Sequence, residues 1–142
     1  MYSTKYSVSI HILCLIALKE EETLTSEHIA GSVNTNPALV RRLMSSLKKA
    51  ELIRAQTKVG VLGLVKPPEE ISLLQVFQAV EKEQNLFAIH SDANPNCPVG
   101  ARIGSALEFV NHQVQAEFEK ELDSIYLSDI LKGMDMDKAI KN

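Results

Sequence analysis

The feature that most constrains the fold is a stretch in which apolar residues recur at helical spacing but a polar turn and a proline divide the pattern. It covers residues 25–53, TSEHIAGSVNTNPALVRRLMSSLKKAELI. Proline fits the first turn of a helix but not its interior, so a second helix is predicted to begin at Pro37, with the preceding polar residues as caps. Five apolar residues can share one buried seam on this pair of helices: Ile29, Val33, Val40, Leu43 and Leu47.

The second predicted helix is basic. It carries Arg41, Arg42, Lys48 and Lys49, with Glu51 as the only nearby acid. A short helix, a tight turn and a basic second helix are the parts of a helix-turn-helix that reads double-stranded DNA. In such a reader the arginines, one turn into the helix, are placed for base edges, and the lysines at its far end for phosphates. A solvated basic surface at the end of an ordinary helix is the alternative interpretation.

The charge of the chain is unevenly distributed. The formal net charge is −3. Residues 1–66 hold nine Lys and Arg against five Asp and Glu, a net of +4, whereas residues 67–142 hold six against thirteen, a net of −7. Because phosphate binding depends on local positive charge, the acidic total does not exclude a nucleic-acid partner.

A β-hairpin is predicted directly after the basic helix. Two apolar patches surround Gly60 and Gly63, and Pro67 ends the segment. A hairpin in this place, tipped by Thr57 and Lys58, is typical of the wing of a winged helix. A capping box that begins at Ser72 then predicts a further helix, so that residues 1–83 form one compact winged helix-turn-helix domain.

A long helix is predicted towards the end of the chain. Residues 84–97 are irregular, but after Pro98 apolar residues recur every three or four positions over nearly thirty residues. Such a helix is about 40 Å long, more than a small domain covers, so we predict a homodimer formed through it. A helix folded back on its own domain is the alternative. We assign residues 98–132 to this dimerisation helix and a short C-terminal helix, and residues 133–142 to a flexible tail, which makes the fold class mainly α with a small β-hairpin.

Several classes of protein are excluded by what the sequence lacks. Two cysteines do not make a disulfide scaffold. No run approaches the roughly 18 consecutive apolar residues of a membrane helix, so we predict a cytoplasmic protein without a membrane partner. We find no nucleophile–base pairing, metal-ligand motif or phosphate-binding loop, and therefore predict no enzyme, no metal site and no cofactor.

In their order these parts resemble the Rrf-two family of bacterial winged-helix transcription regulators. The blocks that carry the resemblance are YSVSIHILCLIAL, VNTNPALVRRLMSSLKKAELI, KPPEEISLLQVFQAVE, and CPVG before the long helix. The resemblance implies a dimeric regulator, for which we predict repression, with one basic helix of each subunit in a palindromic operator and the wing in an adjacent groove. Asn36, Arg41 and Arg42 match its base-reading part, and Thr57 and Lys58 match the wing tip. The full predicted DNA-binding set is Ser26, Thr35, Asn36, Arg41, Arg42, Lys48, Lys49, Thr57 and Lys58.

The wing departs from the family pattern. The family usually shows an Arg-Gly start and a Gly-Gly-Tyr, whereas this chain reads TKVGVLGL. A sequence-specific regulator remains the favoured function, and this departure is the main argument for the alternative, a dimeric winged-helix module that binds protein and no longer binds DNA.

The loop before the long helix also departs from the pattern. Iron–sulfur members of the family use three cysteines there and a histidine three residues after the last one; this chain has Cys97 alone, with Gly100 at the histidine position. One thiolate cannot hold a cluster that needs about four ligands. Because Cys97 precedes a helix N-terminus, whose dipole favours the thiolate, we consider it a candidate redox or electrophile sensor. A remnant of the cluster loop without function is the alternative.

Overall fold

The fold follows the predicted order of helices around one small hairpin. The structure is a computed structural model that describes residues 3–19, 23–56 and 58–134. Its elements are α1 (Lys5–Leu18), α2 (Ser26–Val33), α3 (Pro37–Lys49), β1 (Ile53–Gln56), β2 (Gly60–Leu64), a 3-10 turn (Pro68–Glu70), α4 (Leu73–Val80), α5 (Ile103–Asp123) and α6 (Leu127–Gly133). None of the described helices is long and apolar enough to cross a membrane.

Local capping fixes the turn between α2 and α3. The Thr25 hydroxyl accepts a hydrogen bond from the His28 amide at 3.1 Å and caps α2. Asn34 ends α2 in the left-handed conformation, with φ of 63°. Asn36 Oδ1 then accepts a hydrogen bond from the Leu39 amide at 2.8 Å, and Pro37 is the first residue of α3. The predicted helix–turn–helix boundary is therefore confirmed, and each side-chain cap contributes about 1 kcal/mol to its helix.

The predicted seam between α2 and α3 is buried, with one exception. Ile29, Val40, Leu43 and Leu47 are almost completely buried, while Val33 is half-buried at the margin of the core. The central part of the core comes from α1, and it is closed by residues of the hairpin, α4 and α6. The most deeply buried of these are Ile12, Leu13, Ile16, Leu52, Ile53, Val61, Ile71, Val76 and Leu127.

The hairpin predicted after the basic helix is present. β1 pairs antiparallel with β2 in the register Ile53↔Leu64 to Gln56↔Gly60, with a bulge after Arg54. Leu24 adds a bridge to Val61 on the other side of β2. Gly60 has φ of 114°, and a Cβ at this position would lie 2.5 Å from the carbonyl oxygen of Leu24. Only glycine satisfies both conditions, so Gly60 fixes the hairpin against the segment before α2.

The helix after the hairpin begins with the predicted capping box. The Ser72 hydroxyl accepts from the Gln75 amide at 3.3 Å, and Gln75 Oε1 accepts from the Ser72 amide at 2.9 Å. The segment that follows α5 returns to this place, since the Leu73 amide donates to the carbonyl oxygen of Ile125 at 2.8 Å. The end of α5 and the short helix α6 are thus attached to the winged-helix domain.

The boundaries of the long helix and of the tail need correction. α5 begins at Ile103 and not directly after Pro98, because residues 98–102 form turns around the loop. A Cβ on Gly100 would lie 2.3 Å from the carbonyl oxygen of Asn94, so the chain bends tightly here before it becomes helical. Gly133 is the last residue of α6 and not the first of a tail. Residues 135–142, the rest of the predicted tail, lie outside the described part of the chain.

The two halves of α5 have different surroundings. No residue of this helix is fully buried, and its first half, taken as residues 103–114, exposes Ile103 (39%), Leu107 (41%), Val110 (50%) and Val114 (40%). The second half packs on α4, where the ring of Phe118 meets Phe77 edge to face with 5.5 Å between centroids. The alternative of a helix folded back on its own domain is therefore correct for the second half only.

Candidate nucleic-acid interface

The exposed side of α3 is arranged in three strips. Because successive residues of a helix are about 100° apart, Ala38 and Ser45 lie at its centre, opposite the buried seam. Arg41 and Lys48, seven residues apart, lie along one edge of this side. Arg42, beside Arg41 in sequence, lies along the other edge with Lys49. The two predicted base-reading arginines thus point to different edges of the helix, and short side chains separate them.

The first edge of α3 borders an open cleft of about 530 Å³ that also touches α2 and the hairpin. We call it the wing cleft. It brings together four of the predicted site residues, Ser26, Arg41, Lys48 and Lys58. Ser45 and Gln56 also line the wing cleft, and sequence reasoning missed both. Ser45 could have been found, because it lies one helical turn from Arg41 on the same side of α3.

A weak polar network holds Arg41 in the wing cleft. Arg41 Nη1 lies 3.7 Å from Glu27 Oε1, and the two side chains are 58% and 70% exposed. The same nitrogen donates to the Ser26 hydroxyl at 3.5 Å. An ion pair this exposed contributes about 0–1 kcal/mol, so it orients the guanidinium without preventing its exchange for another anion. Sequence reasoning did not find the contact between Glu27 and Arg41, which joins two different helices.

The second edge of α3 borders another open cleft, of about 700 Å³, between α3, the start of α1 and the end of α4. We call it the α4 cleft. Arg42 and Lys49 line it together with Lys5, Lys82 and Glu81. Lys5 and Lys82 were not among the predicted site residues, because nothing in the sequence places these distant segments beside α3.

The turn before α3 contains Thr35 and Asn36. Thr35 is half-buried, and its amide donates to the carbonyl oxygen of Ala30 at 3.0 Å. Asn36 is exposed, but Oδ1 already caps α3. The Asn36 side-chain nitrogen remains as a donor for a ligand, and Oδ1 keeps one lone pair beyond its bond to the Leu39 amide.

The tip of the hairpin is only partly described. Thr57 lies outside the described residues. Lys58 is exposed, has a left-handed φ of 75°, and borders the wing cleft. Arg54 is a further exposed cation of the hairpin that sequence reasoning missed. Its guanidinium lies over Gly63, where an added Cβ would come within 2.9 Å of Nη2.

The arrangement of helices, hairpin and long helix is shared with known proteins. A family model described as "Rrf2: Iron-dependent Transcriptional regulator" matches residues 2–133. The chain belongs to the Rrf2 family. This confirms the resemblance to the Rrf-two family and makes the protein a member of a family of transcriptional regulators, not of enzymes.

Individual relatives of this Rrf2 protein agree in length and shape. It is 46% identical over 134 residues to a Bacillus subtilis (strain 168) protein called "Putative HTH-type transcriptional regulator YwnA", covering 94% of this chain and 99% of that one. A solved structure described as "a putative DNA binding protein" is 43% identical with a TM-score of 0.74, covering 89% of this chain and 98% of that one. The structure of CymR, the global cysteine regulator of B. subtilis, is 21% identical with a TM-score of 0.66, covering 92% and 94%, and so shows the shared fold alone.

The residues of this Rrf2 protein do not fit an iron–sulfur cluster. Within residues 3–19, 23–56 and 58–134, no group of three or more His, Cys, Asp or Glu side chains could hold a metal ion. Cys14, the only other cysteine of the chain, is buried in α1. A side chain at Gly100, the position of the histidine in iron–sulfur members of the family, would collide with the carbonyl oxygen of Asn94. The iron dependence in the family description therefore has no matching ligand set among the residues that the structure describes.

The two cysteines of this Rrf2 protein differ in exposure and in the pKa of the thiol. Cys97 is exposed, and hydrogen bonds from the backbone amides of Gly100 and Val99 lower the pKa of its thiol. Burial raises the pKa of Cys14 to about 11. Of the two thiols, Cys97 is therefore the one exposed to solvent, and its lowered pKa favours the thiolate form.

Proposed function

We propose that this protein is a sequence-specific transcription repressor that binds a palindromic DNA operator as a homodimer. The observation that carries the proposal is the exposed side of α3, where short residues at the centre are bordered by cations on both edges. A polyanion with a groove the width of a helix is the partner that matches this surface. Since the duplex of a bacterial operator is cytoplasmic, we place the protein in the cytoplasm.

The dimensions of α3 fit the major groove of B-DNA. A helix with its side chains is about 10–12 Å across, and the groove is about 12 Å wide. Ala38 and Ser45 are short enough to let the helix backbone approach the base edges. In this orientation Arg41 and Arg42, near the start of the helix, reach bases, whereas Lys48 and Lys49 contact the phosphates of the two bordering strands.

The remaining predicted residues surround this helix. Ser26 lies at the start of α2 and lines the wing cleft with Lys58. Thr35 and Asn36 precede α3, where helix amides favour an anion. We assign Ser26, Thr35 and Lys58 to phosphates, together with Thr57 of the wing tip, and the Asn36 amide to the groove.

A second copy of the chain supplies the symmetry of the operator. Ile103, Leu107, Val110 and Val114 of the first half of α5 are 39–50% exposed, an apolar stripe that a second copy can bury. Pairing of two such helices about a twofold axis buries these residues and presents two α3 helices to two half-sites. The operator is then palindromic.

Selection of genomic fragments tests the proposal. Purified protein is mixed with sheared DNA of its own organism, and the retained fragments are sequenced. We expect a small set of fragments that share an inverted repeat and lie at promoters. Retention of fragments without a common sequence would contradict sequence-specific binding.

We further propose that Cys97 makes the regulator redox-responsive. Its thiolate attacks the peroxide bond of hydrogen peroxide; an S–O bond forms, the O–O bond breaks, and hydroxide leaves as Cys97 becomes a sulfenic acid. Because Cys97 lies at the turn that leads into α5, this added polar group would disturb the helix that joins the subunits. The affinity of Cys97→Ser protein for a selected fragment should be insensitive to peroxide, whereas that of the unmodified protein should fall. Equal sensitivity of both proteins would remove Cys97 from the mechanism.

The altered wing sequence supports a second candidate function, a dimeric module that binds protein and not DNA. Salt dependence separates the two functions. A DNA reader loses about 0.9 log units of affinity per phosphate contact for each tenfold rise in salt. Absence of duplex binding even at low salt would favour the protein-binding module.

A further inference from the structure

The α4 cleft carries more net positive charge than the wing cleft. Four cations line it, Lys5, Arg42, Lys49 and Lys82, against the single acid Glu81. The wing cleft has three cations, with Glu27 as its acid. The positive charge beside α3 is therefore greater on the side away from the wing.

The one acid of the α4 cleft already has a partner. Glu81 Oε1 accepts a hydrogen bond from the Tyr6 amide at 3.2 Å. Thr4, the residue before α1, makes no side-chain cap, so the carboxylate of Glu81 takes this place at the positive end of the helix dipole. In the described parts of the chain none of the four cations forms an ion pair, unlike Arg41 of the wing cleft.

We propose that the α4 cleft is a second DNA-backbone site, in which Lys5 and Lys82 contact phosphates of the strand that borders the major groove on the side away from the wing. The inference rests on the proposed insertion of α3 into the groove. A helix that fills a groove about 12 Å wide has a phosphate backbone along each of its edges. Arg42 and Lys49 lie on the edge in question, and Lys5 and Lys82 continue the same positive surface outwards from it.

The α4 cleft gives this chain phosphate contacts that do not depend on its wing. In the wing cleft, Arg41 forms a weak ion pair with Glu27, and the wing sequence departs from the family pattern. Among the described residues, the four cations of the α4 cleft have no such acidic partner. Backbone contacts of this kind carry no base preference, so they should strengthen binding to every duplex alike.

A charge-matched pair of double variants tests the inference. Lys5→Gln/Lys82→Gln removes two cations of the α4 cleft; Lys66→Gln/Lys132→Gln removes two cations that line neither cleft. Binding of each full-length protein to a mixed-sequence duplex is measured across a salt series, and thermal unfolding confirms that all three proteins fold. For the first variant, the slope of the logarithm of affinity against the logarithm of salt should become shallower by about 0.9 per phosphate contact removed. Its affinity for the duplex should decrease about tenfold or more near 0.1 M salt. The control variant should bind like the unmodified protein.

The outcomes separate this inference from the function on which it rests. If the unmodified protein binds the duplex and both double variants bind it equally well, the α4 cleft is not a phosphate site, although the proposed function stands. If the unmodified protein binds no duplex, the proposed function fails, and this inference fails with it. If the first variant keeps duplex binding but loses binding to polyglutamate, the cleft belongs to an acidic protein partner and the inference is overturned.

Discussion

Helices α3 and α5 both expose one side to solvent, but the residues on those sides are opposite in character. The apolar residues of α3 are buried by the core, and its exposed side carries cations around Ala38 and Ser45. The first half of α5 leaves four of its apolar side chains 39–50% exposed. A charged surface is stable in water until a polyanion replaces the solvent, whereas an apolar stripe is stabilised by permanent burial. This difference supports the proposal that α3 binds an exchangeable partner and α5 a permanent one.

The largest effect should follow from a charge placed in the apolar stripe of α5. Val110→Glu puts a carboxylate where we propose that two subunits meet, so the dimer should dissociate. Loss of the second α3 should lower affinity for a selected palindromic fragment about a hundredfold or more. Sedimentation and fragment binding measure the two effects together.

His112→Glu is the matched control for this change. His112 is exposed and two residues further along α5, on the opposite side of the helix from the stripe. It should leave the protein dimeric. Dissociation by both variants, or by neither, would contradict the assignment of the stripe to the subunit interface.

Truncation of apolar residues should affect the two helices unequally. Leu47→Ala removes a fully buried side chain of α3 and should lower the free energy of unfolding by about 2–5 kcal/mol. Val114→Ala on α5 should lower the free energy of unfolding of the single subunit much less, because Val114 is exposed there. The two free energies of unfolding are compared by denaturant unfolding at protein concentrations too low for the dimer to form. Similar decreases at the two positions would mean that α5 is covered within its own subunit.

The exposed side of α3 should divide into residues that read bases and residues that hold phosphates. Arg41→Ala or Arg42→Ala should weaken the preference for particular bases. The discrimination between the right and the wrong base should decrease by about 1–3 kcal/mol at each base pair that the arginine reads. Lys48→Gln should weaken binding to all duplexes alike. Fragment selection with each variant distinguishes the two effects. A uniform decrease in affinity for all three variants would reassign the arginines to phosphates.

The smallest effect should come from separating the two roles of Asn36. Asn36→Ala removes the cap of α3 and should cost about 1 kcal/mol of stability. Asn36→Asp keeps an oxygen acceptor for the Leu39 amide and should retain that stability, yet its negative charge and missing amide should weaken DNA binding. The free energy of unfolding and the affinity for DNA, measured for both variants, distinguish capping from DNA contact. If the Asn36→Asp protein binds DNA with full affinity, the role of Asn36 is capping alone.

The parts of the fold that depend on neighbouring residues were predictable from the sequence. Asn36 and Pro37 fix the start of α3 through local hydrogen bonds and backbone geometry, and Ser72 with Gln75 does the same for α4. The hairpin was predicted from apolar patches around Gly60 and Gly63. Gly60 is required there because its φ is positive and because two backbones approach closely at this position.

Features that depend on distant segments were not predictable. Apolar spacing in α5 could not show that Phe118 packs against Phe77 while Val110 remains exposed. The α4 cleft unites Lys5 and Lys82 with α3 through the packing of three helices. By contrast, the divergence of Arg41 and Arg42 follows from helix geometry, and sequence reasoning could have found it.

We propose that the two α3 helices of one dimer bind duplex DNA through its phosphates and base edges. The most direct test of this proposal is the stoichiometry and salt dependence of binding to a duplex that contains the selected inverted repeat. We predict two chains per duplex and a logarithm of affinity that falls linearly with the logarithm of salt, by about 0.9 for each phosphate contact. One chain per duplex, or an affinity that does not change with salt, would contradict binding by two α3 helices of a dimer.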